Sequence, residues 1–337
     1  QPGRTEAEEK VGGIAERQDL RRLRLVTASI DQPLYVVVEK ILAGHEGLRR
    51  DWPVSGTTGY EHMARVAEVF FSGDGEDGIT RAYETFTEKP RDFEAEVLRA
   101  KYRTMQETLA SELNVLANRL SRLAKRSRKT RDFSRLALRN ALTDIVAHFP
   151  VYRSYVDSDG PSEADRRDIE WAVARARKSG KTFDVSAYDF IGAVLTTDIL
   201  QNYPGEFRRR EVVDLAMKVQ QFTAPVMAKS FEDTAFYRDA RFIGRNEVGA
   251  EPETLYTSPQ GFHYSSVQRQ ETHPFAMIST ATHDHKRGED VRSRLNVLSE
   301  IPEEWKAWTE RFAEYTASFT TEVDGEAAPD RSDQYFL

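Results

Sequence analysis

Two short stretches place acid/base side chains at the ends of apolar, β-branched runs. In "YVVVEKIL", residues 35 to 42, three valines end at Glu39 and Lys40. In "FAMISTATHD", residues 275 to 284, a similar run ends at His283 and Asp284. Carboxylates so placed suit general acid/base chemistry, because a strand end can hold a proton donor or acceptor at a fixed point beside a ligand. Plainer readings compete with this one. Glu39 could end a strand in solvent beside Lys40, since carboxylates are usually exposed. Lys286, Arg287, Glu289 and Asp290 could pair among themselves in a salt-bridged loop. His283, Asp284 and His285 are metal-ligating types, but adjacent residues rarely converge on one ion, and no ligand pair at helical spacing supports them.

The elements that must position these residues follow from pattern. Three consecutive valines show no alternation, so residues 35 to 38 read as a strand covered on both faces, as in parallel sheets flanked by helices. Alternation would point Lys40 away from the side that Glu39 faces. Residues 1 to 32 are polar, with a helical stretch near "AERQDLRRLRL". "DWPVSGTTGYEHM" is loop-like, with Pro53, Gly56 and Gly59 as turn residues and Trp52 and Tyr60 as large aromatics. From Ile79 to Phe222 the pattern is helical. Leu98, Tyr102, Met105, Leu109, Leu113, Leu116, Leu120 and Leu123 recur at spacings of three and four, which predicts one long amphipathic helix. Ser162 and Asp165 have capping-box spacing, which predicts a second helix ending near Gly180. "APVMAK" and "FAMISTATHD" read as strands after Pro225, and Val291, Leu295 and Leu298 carry a helix after the His-Asp pair.

Composition limits the function classes. The chain has 337 residues and 39% hydrophobic content, enough for a sizeable core. With 48 basic and 55 acidic residues its net charge is -7, which favours neither nucleic acid nor an anionic membrane. The basic run "RLSRLAKRSRKTRDFSR" has almost no aromatic residues for base stacking and reads as a solvated helix face. "SGTTGY" lacks the Gly-Lys-Ser/Thr ending of a phosphate loop. Without cysteine there are no disulfides, thiolate nucleophiles or cysteine metal sites. No apolar stretch approaches the length of a membrane span. The expected location is cytoplasmic, and because residue 1 is Gln1 rather than Met, a targeting segment before it stays open.

"YVVVEKIL", "WPVSGTTGYE", "TAPVMAKSFEDTAFYRDARFIGRNEVGAEP" and "ATHDHKRGEDVRSRLNVLSEIPEEW" together resemble maltooligosyltrehalose synthases, members of the α-amylase superfamily (glycoside hydrolase family 13). The resemblance covers most of residues 34 to 308. The family usually has Thr at position 285, Ser at 288 and "SLNEVGG" where this chain has "GRNEVGA".

The resemblance implies an α/β fold, mostly helical by residue count: the C-terminal part of a (β/α)8 TIM barrel with a large α-helical insertion. Residues 1 to 75 would carry the acid/base strand and a substrate loop, 76 to 222 the helical insertion, and 223 to 337 the His-Asp motif and final helix. The implied reaction is an intramolecular transglucosylation, with retention, of a maltooligosaccharide. It makes the enzyme an isomerase that moves the reducing-end α-1,4 linkage to an α,α-1,1 linkage. Glu39 matches the general acid/base, in a site closed from water that raises its pKa, and Asp284 matches the transition-state stabiliser. His283, Trp52, Thr57, Tyr60, Lys229, Tyr237, Lys286 and Arg287 are implied to bind substrate, with no metal and no cofactor. The family's nucleophilic aspartate precedes the acid/base strand. Neither Asp19, in a helical charged stretch, nor Asp31, too close to the strand, fits it. The expectation is therefore a chain that lacks the N-terminal barrel portion, needs it as a partner, and is inactive alone. A trehalohydrolase-like glycosidase, or a carbohydrate-binding helical module without catalysis, remains the alternative.

Overall fold

A computed structural model of the chain describes residues 34–180 and 184–337. The helical stretch expected near residue 20, together with Asp19 and Asp31, lies outside the described residues. Helices take up 60% of the described residues.

Strand β1 (Val37–Val38) pairs in parallel with β2 (Gly56–Thr57), Val37 opposite Gly56 and Val38 opposite Thr57. Backbone bonds from Ser55 to the Val36 carbonyl (2.7 Å) and from Thr58 to the Val38 carbonyl (3.1 Å) extend the pairing. The valine run is not covered on both faces. Leu34, Tyr35 and Val36 are exposed, because among the described residues β2 is the only strand beside β1.

Among the described residues, the α-helices of eight residues or more are α1 (Tyr60–Val69), α2 (Glu76–Thr87), α3 (Phe93–Gln106), α4 (Ala110–Ala124), α5 (Arg135–Ala147), α6 (Glu163–Ser179), α7 (Ser186–Leu195), α8 (Arg209–Met227), α9 (Pro259–Thr272), α10 (Glu289–Asn296) and α11 (Pro302–Thr316). Local chemistry sets several of their ends. Asp92 and Ser134 cap α3 and α5 through the amides of Ala95 and Ala137. Ser162 and Asp165 form the expected capping box on α6, which stops at Gly180. Leu113, Leu116, Leu120 and Leu123 of α4 meet Leu138, Leu142 and Ile145 of α5 and Val212, Leu215 and Val219 of α8 in one continuous core, which also takes in α6 and α7.

Two readings are corrected here. The long helix is two, because the chain turns at residues 107–109, where the Leu109 amide reaches back five residues to the Thr104 carbonyl (2.9 Å). The wide turn lets α3 pack on the segment 228–235 while α4 packs on α5 and α8. Spacing could not reveal it, since Met105, Leu109 and Leu113 are four apart on both sides of the break. "APVMAK" is helix, not strand. Val219, Phe222 and Val226 keep helical spacing through Pro225, and the helix then widens to a π-helix, Ala228–Ala235. Residues 274–275 are a turn and 276–279 carry no regular structure, so the expected strand is absent there, with the Met277 amide bonded to the Thr57 carbonyl (3.1 Å). The helix after the His-Asp pair is α10, though Val291 on it is exposed.

Candidate active site

Glycines bring the two acid/base stretches together. Gly56 has φ 148° and Gly59 has φ 92°. A Cβ on Gly56 would meet Ala276 Cβ at 2.4 Å, and one on Gly59 would meet the Met277 carbonyl oxygen at 2.5 Å. The loop "SGTTGY" can therefore lie against residues 276–277 only with glycine at both positions. The Tyr35 hydroxyl ties the other flank by donating to the Phe275 carbonyl (2.9 Å). Gly59 also starts α1, which turns Tyr60 inward to 1% exposure.

The Tyr60 hydroxyl lies 2.8 Å from Glu39 Oε1 and 3.2 Å from Asp284 Oδ2. His283 Nε2 lies 3.8 Å from Glu39 Oε1 and 3.5 Å from Asp284 Oδ1. A phenol has one proton to give and lone pairs to accept with, so both Tyr60 contacts are hydrogen bonds only when one carboxyl carries a proton. Burial raises the Tyr60 pKa and keeps it a phenol; a hydrogen bond with Thr282 opposes the rise, and Glu39 and Asp284 reinforce it.

Lys40 turns the opposite way, as alternation predicts. It is buried, pairs with Glu46 at 2.6 Å, and sits 5.0 Å from the Tyr155 ring. The Glu39 side chain, by contrast, is 54% exposed, so the water-free pocket expected around it is not found among the described residues. Ligand atoms of Glu39, His283 and Asp284 lie within 4.8 Å of one another, the grouping among the described residues that could close on a cation. All three are exposed, and Tyr60 contacts one oxygen of each carboxylate.

The other expected substrate residues divide. Lys286 and Tyr237 come together, Nζ 4.8 Å from the ring centroid. The Lys286 amide donates to Glu247 Oε2 (2.7 Å), and Arg287 lies 3.7 Å from Glu247 Oε1. Arg287 therefore pairs with a buried carboxylate rather than within its own loop. Lys229 pairs with Asp233 one turn on (2.8 Å), which raises its pKa. Thr57 is buried and donates to Glu61 (2.6 Å). Trp52 stands edge-on to Tyr155, centroids 4.7 Å apart.

Sequence reasoning did not single out Glu232. It is buried on the π-helix and accepts a hydrogen bond from Tyr152. Burial raises its pKa, with the Tyr152 bond and the Lys286 charge opposing. A carboxylate inside an apolar, aromatic motif, "SFEDTAFY", was the available signal. A wide helical turn at a working site is a recurrent association.

No protein-family profile matches the chain. A curated relative from Mycobacterium tuberculosis (strain ATCC 25618 / H37Rv), provisionally named maltooligosyl trehalose synthase, is 31% identical over 271 residues, 80% of this chain and 32% of the relative. Its counterpart in strain CDC 1551 / Oshkosh matches equally. The chain thus spans about a third of the length of the curated relatives it matches. The maltooligosyltrehalose synthase of Arthrobacter ramosus superposes with a TM-score of 0.72 at 28% identity, over 95% of this chain and 36% of that one. Another solved maltooligosyl trehalose synthase gives 0.61 at 26% identity, over 91% of this chain and 34% of that one.

Proposed function

We propose that this chain, a relative of the maltooligosyl trehalose synthases in sequence and in structure, supplies the acid/base end of a trehalose-forming transglucosylation. The reading makes it part of a (β/α)8 barrel interrupted by a helical insertion. Residues 1 to 75 and 223 to 337 belong to the barrel and 76 to 222 to the insertion. A preceding barrel portion completes the enzyme as its partner and brings the nucleophilic aspartate. Without that portion the chain has no turnover.

In this reading Glu39 protonates the departing glucosidic oxygen of the reducing-end α-1,4 linkage while the nucleophile takes the anomeric carbon. Asp284 and His283 hold hydroxyls of the distorted ring as positive charge develops, and Tyr60 holds the proton between the two carboxyls. The released glucose turns in place. Its anomeric hydroxyl attacks the glycosyl-enzyme and gives its proton back to Glu39, forming the α,α-1,1 bond. Water loses because a held sugar acts at high effective concentration. Trp52, Thr57, Tyr60, Lys229, Tyr237, Lys286 and Arg287 line or support the place where the glucose is held. Lys286 over the exposed Tyr237 ring supplies the amphipathic surface a sugar face needs.

One observation carries the reading. The Tyr60 hydroxyl joins Glu39 to Asp284, which are 245 positions apart, with His283 beside both. Product analysis on maltopentaose, with the chain completed by the preceding portion of such a synthase, tests it. A non-reducing oligosaccharide of unchanged length is expected. Free trehalose or new reducing ends would make the enzyme a hydrolase instead.

A further inference from the structure

His285 lies one residue beyond the candidate acid/base pair and has no part in the chemistry above. Its ring stacks on Tyr60 with centroids 6.1 Å apart and planes 7° apart, within the usual range for offset aromatic pairs. A tight turn fixes that ring. The Thr282 amide donates to Nδ1 (3.1 Å), the Thr282 hydroxyl lies 3.0 Å from the same nitrogen, and the His285 amide donates to the Thr282 carbonyl (3.3 Å). An amide can only donate, so Nδ1 is an acceptor and the proton of the neutral ring sits on Nε2. The same turn carries Asp284, whose amide donates to the Thr282 hydroxyl (3.3 Å).

Tyr60 is therefore held by one turn at both ends, its ring by His285 and its hydroxyl by Asp284 and the Thr282 side chain. On the other side the Gly249 backbone crowds the Tyr60 stem, where a Cβ on Gly249 would come within 2.7 Å of Tyr60 Cβ. We propose that His285 is the positioning residue for Tyr60: its ring, stacked on the phenol, sets the rotation of Tyr60 so that one hydroxyl faces Glu39 and Asp284 together. The bearing of this contact on catalysis rests on the transglucosylase reading, whereas the contact itself does not. Surrounding charge agrees with a neutral ring. Burial, with Arg292 and Lys286 nearby, lowers the His285 pKa to about 4, and Asp284 and Glu289 only partly oppose this.

The test is made on the chain itself, labelled with 3-fluorotyrosine and read by fluorine NMR, the Tyr60 signal being assigned by its loss in Tyr60→Phe. His285→Asn keeps an acceptor for the Thr282 amide but loses the stack, and His285→Phe keeps a stacking ring but loses the acceptor. The Tyr60 signal should shift in His285→Ala and His285→Asn and stay near the parent position in His285→Phe, with similar melting temperatures for Asn and Phe. A residue that only stabilised the turn would give the reverse, with Asn silent and Phe shifted, and that result overturns the proposal. So does a Tyr60 signal unmoved in His285→Asn, which decides the matter even where His285→Ala fails to fold. None of these outcomes depends on sugar turnover, so they stand apart from the fate of the synthase reading.

Discussion

The helical block and the acid/base segment are held by different means. Between α3 and α8, Leu113, Leu120, Leu138, Leu142, Ile145, Ile191 and Val194 are all at 0% exposure in one core. Around Glu39, Tyr35 is 63% and Val36 41% exposed, and the strand they lead into is two residues long. The block is stabilised by buried apolar area, which is large and non-directional. The site is positioned by a few directional contacts between distant segments: Tyr60 to two carboxyls, Tyr35 to Phe275, and two glycines that permit close approach. Apolar burial tolerates small errors of position. Hydrogen bonds do not, because they weaken steeply with distance and angle, which is why the site depends on glycines and turns while the block depends on leucines.

The sharpest way to break this contrast is to truncate an apolar side chain to alanine on each side. Leu142→Ala, in the middle of the block, should cost about 2–5 kcal/mol. Val38→Ala, half-buried beside the site, should cost under about 1 kcal/mol. Urea unfolding of both variants measures the difference, and equal losses would mean that the two regions share one core.

A second comparison concerns a buried charge inside the block. Lys101 is wholly buried, with the Phe149 carbonyl as acceptor at 3.0 Å, and burial lowers its pKa to about 8. The unfolded chain keeps that proton up to the ordinary lysine value, so it binds more protons than the folded chain between about pH 8 and 10.5. Stability therefore rises with pH across that window. Lys101→Met should stabilise by about 2 kcal/mol at pH 7, after the loss of one hydrogen bond is allowed for, and the gain should fade toward pH 10. Unfolding at the two pH values checks both parts.

The smallest effect separates local from tertiary control. Ser162→Ala removes the capping box of α6 and should cost about 1 kcal/mol, seen as a lower thermal midpoint with the helix content of the folded state unchanged.

These differences also explain what the sequence made legible. The Ser162–Asp165 box and the stop at Gly180 are local chemistry and can be read residue by residue. The turn at 107–109 is tertiary: the apolar spacing runs across it unbroken, and only the different partners of α3 and α4 require it. Pro225 misled because proline usually ends a helix, whereas here α8 runs on through it to Met227 and into the π-helix. The orientation of Lys40 away from Glu39 followed from strand alternation. The meeting of Glu39 with Asp284 was legible only through resemblance, since no local pattern links residues so far apart. Glu232 had only its apolar, aromatic surroundings in "SFEDTAFY" as a signal, and the exposure of Glu39 was hidden because a valine run does not say how many strands stand beside it.

The central claim is that Glu39 is the proton donor of a trehalose-forming reaction. The most direct measurement is the rate of non-reducing product formation from maltopentaose by the completed enzyme, parent against Glu39→Gln, with substrate binding followed in parallel. Gln is nearly the same shape but has no acidic proton, so the rate should fall by about 10² to 10⁴ while binding persists. A Glu39→Gln enzyme that turns over within a few-fold of its parent would contradict the account.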